Sequence, residues 1–150
     1  MPNYYGNETR QHLRLWLKLL KTTGNIEAMV RHRMKTQCHT TLPRFDVLAA
    51  LDHHPDGLRM SELSRFLMVS NGNVTGIANR LVEEGLVTRQ ADADDGRVQI
   101  LSLTATGKQQ FISMATSHAA WIDEFLAPLE DQDTQQVMAL LDRIQQQLGD

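Results

Sequence analysis

The stretch SNGNVTGIANRLVEEGLV, residues 70–87, decides the fold because its two halves have different chemistry. The second half repeats apolar residues at the spacing of an amphipathic helix, and Gly85 is typical of the residue that ends one. The first half is small and uncharged, and it is rich in amide and hydroxyl groups. A helix from about Asn71 to Glu84 is therefore predicted, with Ser70 as its N-cap. Its buried stripe is predicted to be Val74, Ile77, Ala78, Leu81 and Val82.

The opposite side of this helix carries groups that hydrogen-bond to base edges in a DNA major groove. These outward positions are Asn71, Asn73, Thr75, Asn79 and Arg80. Gly72 and Gly76 let backbone N–H groups come close to the groove floor or to a phosphate. Each interior glycine costs ~1 kcal/mol of helix stability relative to alanine. The alternative interpretation is a solvated polar face whose Asn residues only cap and turn.

The rest of the chain has the periodicity of a mainly helical protein with one hairpin. Helices are predicted over 8–36, 43–53, a short segment with Ser61 as N-cap, 71–84, from Thr104 to about 126, and 131–148. Near-alternation predicts strands at 86–90 and 98–103, on either side of the turn ADADDG. Two helices joined by a tight turn and followed by a hairpin make a winged helix-turn-helix. The predicted fold class is mostly α with a small β-wing, flanked by long N- and C-terminal helices.

The turn of the hairpin holds a candidate residue for the minor groove. Arg97 follows the acidic tip and is placed to reach an adjacent minor groove. Asp95 can pair with Arg97 and hold its side chain in position, or it is a turn aspartate only.

Both ends of the chain favour a homodimer. The flanking helices are too elongated for the rest of the chain to cover their apolar faces, and a second copy is the simplest cover. Residues 8–35 hold seven Lys or Arg and two Glu, whereas residues 105–150 hold two bases and seven acids. The two ends are therefore expected to pack together, although two independently solvated faces explain the charges equally well. One compact subunit then comprises an N-terminal dimerisation helix (1–36), a DNA-binding lobe (37–104) and C-terminal dimerisation helices (105–150).

The bulk composition is that of an ordinary globular domain, with 150 residues of which 41% are hydrophobic and 22% charged. The net charge of −3 gives no overall basicity that points to nucleic acid. No apolar run is long enough to span a bilayer, and the start MPNYYGNETR lacks the pattern of a signal peptide. A cytoplasmic protein without a membrane partner is expected. The single Cys38 excludes an internal disulfide.

Residues 42–107 resemble the core of the MarR (multiple antibiotic resistance regulator) family. MSELSRFLMVS and VTGIANRLVEEGLV are similar to the helix-turn-helix of that family. Asp95-Gly96-Arg97 matches the Asp-x-Arg of its wing, and LSLTATG matches its Leu-Thr-x-x-Gly exit into the fifth helix. The order of elements also agrees, so the resemblance covers nearly the whole chain.

The resemblance implies a homodimer that binds double-stranded DNA at a pseudo-palindromic operator and regulates transcription, commonly as a repressor. The candidate DNA-binding residues are Ser61, Ser70, Asn71, Asn73, Thr75, Arg80, Asp95 and Arg97. This sequence departs from the family where Gly76 and Gly96 replace basic residues and Met68 replaces a turn glycine. We therefore expect modest non-specific affinity and a shallow dependence of binding on salt.

Family members also respond to small aromatic acids and related compounds bound between the dimer helices and the winged lobe. The candidate effector-binding residues are Trp16, Met29, Arg31, Met34, Phe45, Phe111, Met114 and His118. Core packing is the alternative for each apolar member. The cations Arg31, His32, Arg33 and Lys35 can receive a carboxylate or the phosphates of a coenzyme A thioester, or they form a solvated face. SNGNVTG is similar to the branch that controls hydroxycinnamate and other aromatic-acid catabolism.

Other functions have weaker support in the sequence. Cys38 would act as an oxidation sensor only if the pKa of its thiol were lowered. Lys35, His39 and Arg44 are near it in sequence and could lower that pKa. His32, Cys38 and His39 match no strong zinc spacing, so neither a metal nor a cofactor is expected. No phosphate-binding glycine loop or nucleophile elbow is present, and catalysis is not expected. A winged helix that contacts only other proteins remains the alternative to a DNA-binding regulator.

Overall fold

The computed structural model describes residues 4–67 and 71–149, and it confirms the mostly helical fold with a small wing. The helices are α1 (Asn7–Gln37), α2 (Leu42–Asp52), α3 (Met60–Phe66), α4 (Asn71–Glu83), α5 (Ala105–Leu126) and α6 (Asp131–Leu148). The strands are β1 (Leu58–Arg59), β2 (Val87–Ala91) and β3 (Gln99–Leu103). Within the described residues, no helix combines the length and the apolar character needed to cross a membrane.

The three strands form one antiparallel sheet in the order β1-β3-β2. The hairpin of β2 and β3 pairs Val87 with Leu103 and Ala91 with Gln99, and we call it, with the turn it encloses, the wing. The additional strand β1 pairs Leu58 with Leu101, and the sequence did not predict it. Two residues directly before a helix are too short to show alternation, so this strand has no sequence signal.

The chain divides into two compact units, Met1–Thr116 and Ser117–Asp150. The core of the first unit lies between α2, α3, α4 and the sheet. Its buried side chains are Val47, Leu48, Leu51, Leu58, Leu63, Leu67, Val74, Ala78, Leu81, Leu86, Val87 and Leu101. The predicted stripe of α4 is confirmed, since Val74, Ala78 and Leu81 are fully buried and the rest of the stripe is half-buried.

The predicted N-cap of the third helix is wrong. Ser61 lies inside the first turn, because α3 begins at Met60 and Arg59 is its N-cap residue. Glu62 explains the shift, since its Oε2 accepts the backbone N–H of Arg59 at 2.8 Å and so favours a helix start two residues earlier. The predicted N-cap Ser70 lies outside the described residues.

The end of α4 and the start of α5 form one hydrogen-bonded junction. Gly85 has φ 74°, and the N–H groups of Gly85 and Leu86 donate to the carbonyls of Val82 and Leu81 at 3.0 Å each, as in a Schellman motif. The Thr104 hydroxyl donates to the Gly85 carbonyl at 2.7 Å. That hydroxyl also accepts the Gly107 N–H at 2.9 Å, which confirms the predicted cap of α5.

The second unit contains the end of α5 and all of α6. Trp121 is buried and contacts His118 edge-on, with ring centroids 6.5 Å apart. Asp133 accepts the backbone N–H of Glu130 at the start of α6, and Gly149 ends the helix with φ 88°. No residue of α6 is buried among those the structure describes, although the helix carries a row of large apolar side chains.

Candidate nucleic-acid interface

The outward side of α4 is polar and accessible. Its exposed residues are Asn73, Thr75, Asn79 and Arg80, and we call them the polar face of α4. The buried stripe on the opposite side anchors the helix in the core, so these side chains are directed away from it. Asn71 is the first residue of α4, and the structure gives no description of its side chain. Ser61, in contrast, lies exposed on α3.

One amide of the polar face is held by the wing. The Arg89 guanidinium, on β2, donates a hydrogen bond to the Asn79 Oδ1. Because its Oδ1 is bound by Arg89, the orientation of the Asn79 amide is restrained, and its NH₂ group remains available as a donor. Sequence reasoning missed Arg89, because the pair joins two elements whose relative positions the periodicity does not give.

The wing carries Arg97 near its tip. The Asp95 Oδ1 accepts two hydrogen bonds from this residue, from the backbone N–H at 3.1 Å and from Nε at 3.2 Å. The predicted pairing is confirmed, and these bonds lower the pKa of Asp95, the backbone bond first and the side-chain bond second. The Arg97 side chain is 90% exposed, so its guanidinium extends into solvent while its Nε is held.

The start of the wing's turn is tied to the residue that ends β1. The Arg59 guanidinium donates to the Asp92 Oδ2 at 2.7 Å, and the Asp92 Oδ1 accepts the backbone N–H of Asp94 at 3.0 Å. The acidic turn is thus partly structural, because two of its carboxylates are used for local bonds. These bonds therefore order part of the turn that carries Arg97.

The candidate effector-binding residues fall into different environments. Met34 and Phe45 are buried, and Phe45 contacts Phe111 with ring centroids 5.6 Å apart. Phe111 and Met114 are half-buried against the core. The packing of these four side chains in or against the core agrees with the alternative interpretation, in which they stabilise the fold.

The remaining effector candidates are separate from that core. Trp16 and Met29 are 55% and 45% exposed on α1. Arg31 is exposed and forms an ion pair with Glu27 at 2.7 Å. His118 lies in the second unit, and its burial lowers the pKa of its imidazole.

The surroundings of Cys38 do not lower the pKa of its thiol. It is a half-buried free thiol, and burial raises its pKa, whereas a reactive thiolate requires a lowered one. Across residues 4–67 and 71–149, no three His, Cys, Asp or Glu side chains cluster in a way that suits a metal ion.

Known proteins resemble this chain in sequence and in fold. A family model described as the MarR family matches residues 40–98. The transcriptional regulator MhqR of Bacillus subtilis is 26% identical over 137 residues, which cover 91% of this chain and 92% of the relative. The transcriptional repressor MdtR of the same organism is 30% identical over 100 residues, covering 67% of this chain and 64% of the relative. The crystal structure of a MarR family transcriptional regulator from Silicibacter pomeroyi aligns with a TM-score of 0.79 at 30% identity, covering 96% of this chain and 99% of that chain.

These likenesses, together with the polar face of α4 and the exposed arginine of the wing, define a winged helix-turn-helix transcriptional regulator that binds DNA. The two-helix arrangement of α3 and α4 and the β2–β3 hairpin are the parts that such regulators place against a duplex. The chain belongs to the MarR family, as the motifs in residues 42–107 predicted.

Proposed function

We propose that the protein binds a pseudo-palindromic operator as a homodimer, with α4 in the major groove and Arg97 in the adjoining minor groove. The observation that carries this proposal is the exposure of Asn73, Thr75 and Arg80 on the side of α4 opposite its buried stripe. Amide, hydroxyl and guanidinium groups on one helix face match the donors and acceptors of base edges. Ser61, Ser70, Asn71 and Asp95 complete the proposed DNA-binding set.

The homodimer is supported by apolar surface on the terminal helices. The exposed side chains on α1 include Leu15, Trp16, Leu17 and Leu20, and those on α6 include Val137, Leu140, Leu141, Ile144 and Leu148. Contiguous apolar surface of this kind is characteristic of an interaction site, and a two-fold symmetric copy covers identical faces at once. Twofold symmetry would place the two α4 helices about one DNA turn apart, ~34–36 Å, on a palindromic site.

Alanine variants of the interface test the DNA-binding mode. In fluorescence anisotropy with the DNA flanking its own gene, Asn73→Ala, Thr75→Ala and Arg97→Ala should each weaken operator binding by ~1–3 kcal/mol. His53→Ala, an exposed residue outside α4 and the wing, should leave affinity unchanged. Full affinity in all three folded variants contradicts the proposal. Absence of any sequence-selective binding by the parent protein, even at low salt, favours a protein-protein interaction module instead.

We further propose that the protein is a repressor released by a small aromatic acid or its coenzyme A thioester. The name of the relative MdtR, a repressor, supports the mode of regulation. Aromatic and thioether side chains offer an apolar lining, and Arg31 offers a cation for an acid group. The proposed effector-binding residues are Trp16, Met29, Arg31, Met34, Phe45, Phe111, Met114 and His118.

Calorimetry tests the effector. A panel of benzoates, hydroxycinnamates and their thioesters is titrated into the protein, and each compound that binds is then added to the protein-operator complex. Release of the DNA by a binding compound is the expected result, and Arg31→Gln should weaken the binding of the acids. A panel without any binding compound, or binding without release, overturns this part of the proposal.

A further inference from the structure

A cleft of about 620 Å³ lies along one flank of α4, between that helix, the second half of α1 and the start of α2. Its lining includes four cations, Arg31, Lys35, Arg44 and Arg80, and one carboxylate, Glu84. A second cleft of about 510 Å³ shares Arg31, Arg44 and Arg80 and extends to Asn73 and Gly76. We call the two together the basic cleft.

The cations of the basic cleft come from three separate helices and are only partly neutralised. Arg31 pairs with Glu27 on its own helix at 2.7 Å. In the described part of the chain, Lys35 and Arg80 have no carboxylate partner. Cations that converge on one cleft attract an anion that enters it, because each of them contributes to the local positive potential. The lining therefore has the chemistry of a phosphate site.

Arg44, unlike Arg31, is held by a carboxylate from a distant part of the chain. Its Nε donates to the Thr40 Oγ1 at 3.2 Å, and its Nη2 donates to the Glu84 Oε2. The Glu84 side chain is 47% exposed, whereas that of Arg44 is 21% exposed. The carboxylate is thus the more exposed partner of the pair, and it occupies guanidinium donors that a phosphate oxygen would also use.

The position of the basic cleft indicates where a phosphate would come from. Asn73 and Gly76 line it, and Asn73 belongs to the polar face of α4. A helix that lies in a major groove has the sugar-phosphate backbone of the bordering strand along its flank. The cleft is open and continuous with the polar face, so a DNA backbone can reach it while α4 contacts the bases.

We propose that the basic cleft seats phosphates of the DNA backbone that borders α4, and that Glu84 is an internal competitor, which holds Arg44 until a phosphate replaces it. The inference rests on the proposed insertion of α4 into the major groove. It adds Arg44 and Lys35 to the DNA contacts, and it assigns to Glu84 a role in weakening non-specific binding.

The test measures affinity for operator and for scrambled duplex over a range of salt concentrations. Arg44→Gln should weaken binding to both duplexes alike and reduce the slope of log K against log salt by about one unit, because one phosphate contact is lost. Glu84→Gln should strengthen binding to both by about two- to fivefold, the range of an exposed ion pair. A gain in affinity cannot come from misfolding.

The matched control is Glu83→Gln, which removes the same charge from the neighbouring exposed residue outside the cleft lining. Glu83→Gln should raise the DNA affinity less than Glu84→Gln does. In a protein that already carries Arg44→Gln, adding Glu84→Gln should change the affinity no more than adding Glu83→Gln. If Glu84→Gln behaves like Glu83→Gln while the parent binds its operator, the inference fails and the proposed function stands. If the parent binds no DNA at all, the proposed function itself fails.

A further arm separates DNA phosphates from a free organic phosphate. Coenzyme A and pyrophosphate are titrated into the parent and into Arg44→Gln in the absence of DNA. Any binding of either probe is expected not to depend on Arg44. If Arg44→Gln abolished tight binding of a probe but left the DNA affinity unchanged, the cleft would be a small-molecule site and the inference would be overturned.

Discussion

At the tip of the wing, one carboxylate determines how an arginine is presented. Asp95 binds both the backbone N–H and the Nε of Arg97, yet it leaves the rest of the guanidinium in solvent. An exposed ion pair adds little stability, so the value of these bonds lies in orientation. Holding a side chain in its bound geometry reduces the entropy that binding costs.

Asp95→Ala should therefore lower operator affinity by about two- to tenfold, because Arg97 must be ordered on binding, at roughly the cost of one immobilised side chain. Arg97→Ala should lower it further, since the contact itself is lost. Asp94→Ala, which removes an exposed acid from the same turn, is the matched control and should not weaken binding. Anisotropy titrations check the order of the three variants. Equal affinity of Asp95→Ala and the parent would show that the pair has no orienting role.

At the scale of the helices, two interior glycines, Gly24 and Gly76, have open space where a side chain would lie. A Cβ built at Gly24 of α1 or at Gly76 of α4 meets no other atom of the described chain within 4 Å. No close approach of another helix to Gly24 is therefore made within the described part of the subunit. Alanine is compatible with both positions as far as this chain is concerned.

Gly24→Ala and Gly76→Ala should each stabilise the fold by ~0.5–1 kcal/mol, because alanine has the higher helix propensity. Gly76→Ala alone should weaken operator binding, since Gly76 lies beside Asn73 in the basic cleft and a methyl group there meets the DNA. Urea unfolding and anisotropy measure the two effects separately. A loss of dimer stability in Gly24→Ala would instead locate a close helix contact between subunits at that residue.

Sequence periodicity predicted the helices to within about two residues, because apolar spacing and turn residues report local structure directly. It failed where the decisive contact joins distant segments. Arg89 meets Asn79 across the junction of β2 and α4, and Arg44 meets Glu84 across 40 residues. The sequence showed a cluster of cations on α1, but only the fold brings Arg44 and Arg80 beside them.

At the scale of the whole molecule, the apolar row on α6 predicts the oligomeric state. A Leu140→Glu, Ile144→Glu variant should be monomeric and should lose operator binding, because charges on the proposed interface must be desolvated when two copies associate. Gln135→Glu, Gln146→Glu adds the same two charges on the opposite side of α6 and should remain dimeric. Sedimentation velocity with circular dichroism distinguishes dissociation from unfolding. A parent protein that sediments as a monomer contradicts the proposed dimer.

The stability of the molecule should also depend on pH through His118. Burial lowers the pKa of this imidazole below its ordinary value of about 6.5. The unfolded chain therefore takes up the proton first, so stability is unaffected above pH ~6.5 and falls as the pH decreases through the folded pKa. His118→Gln should flatten this decline in urea midpoints between pH 8 and 5, whereas His12→Gln, at an exposed position, should not. A parallel decline in His118→Gln would assign the effect to other groups.

The junction between α4 and α5 has a mechanical consequence. The Thr104 hydroxyl binds the Gly85 carbonyl just after α4 and caps the start of α5, and a Cβ added at Gly107 would lie 2.0 Å from the Leu86 carbonyl oxygen. Because the first turn of α5 is hydrogen-bonded to and packed against the residues that follow α4, the two helices are expected to move together. A rotation of the start of α5 is therefore expected to move α4, the helix proposed to read the bases.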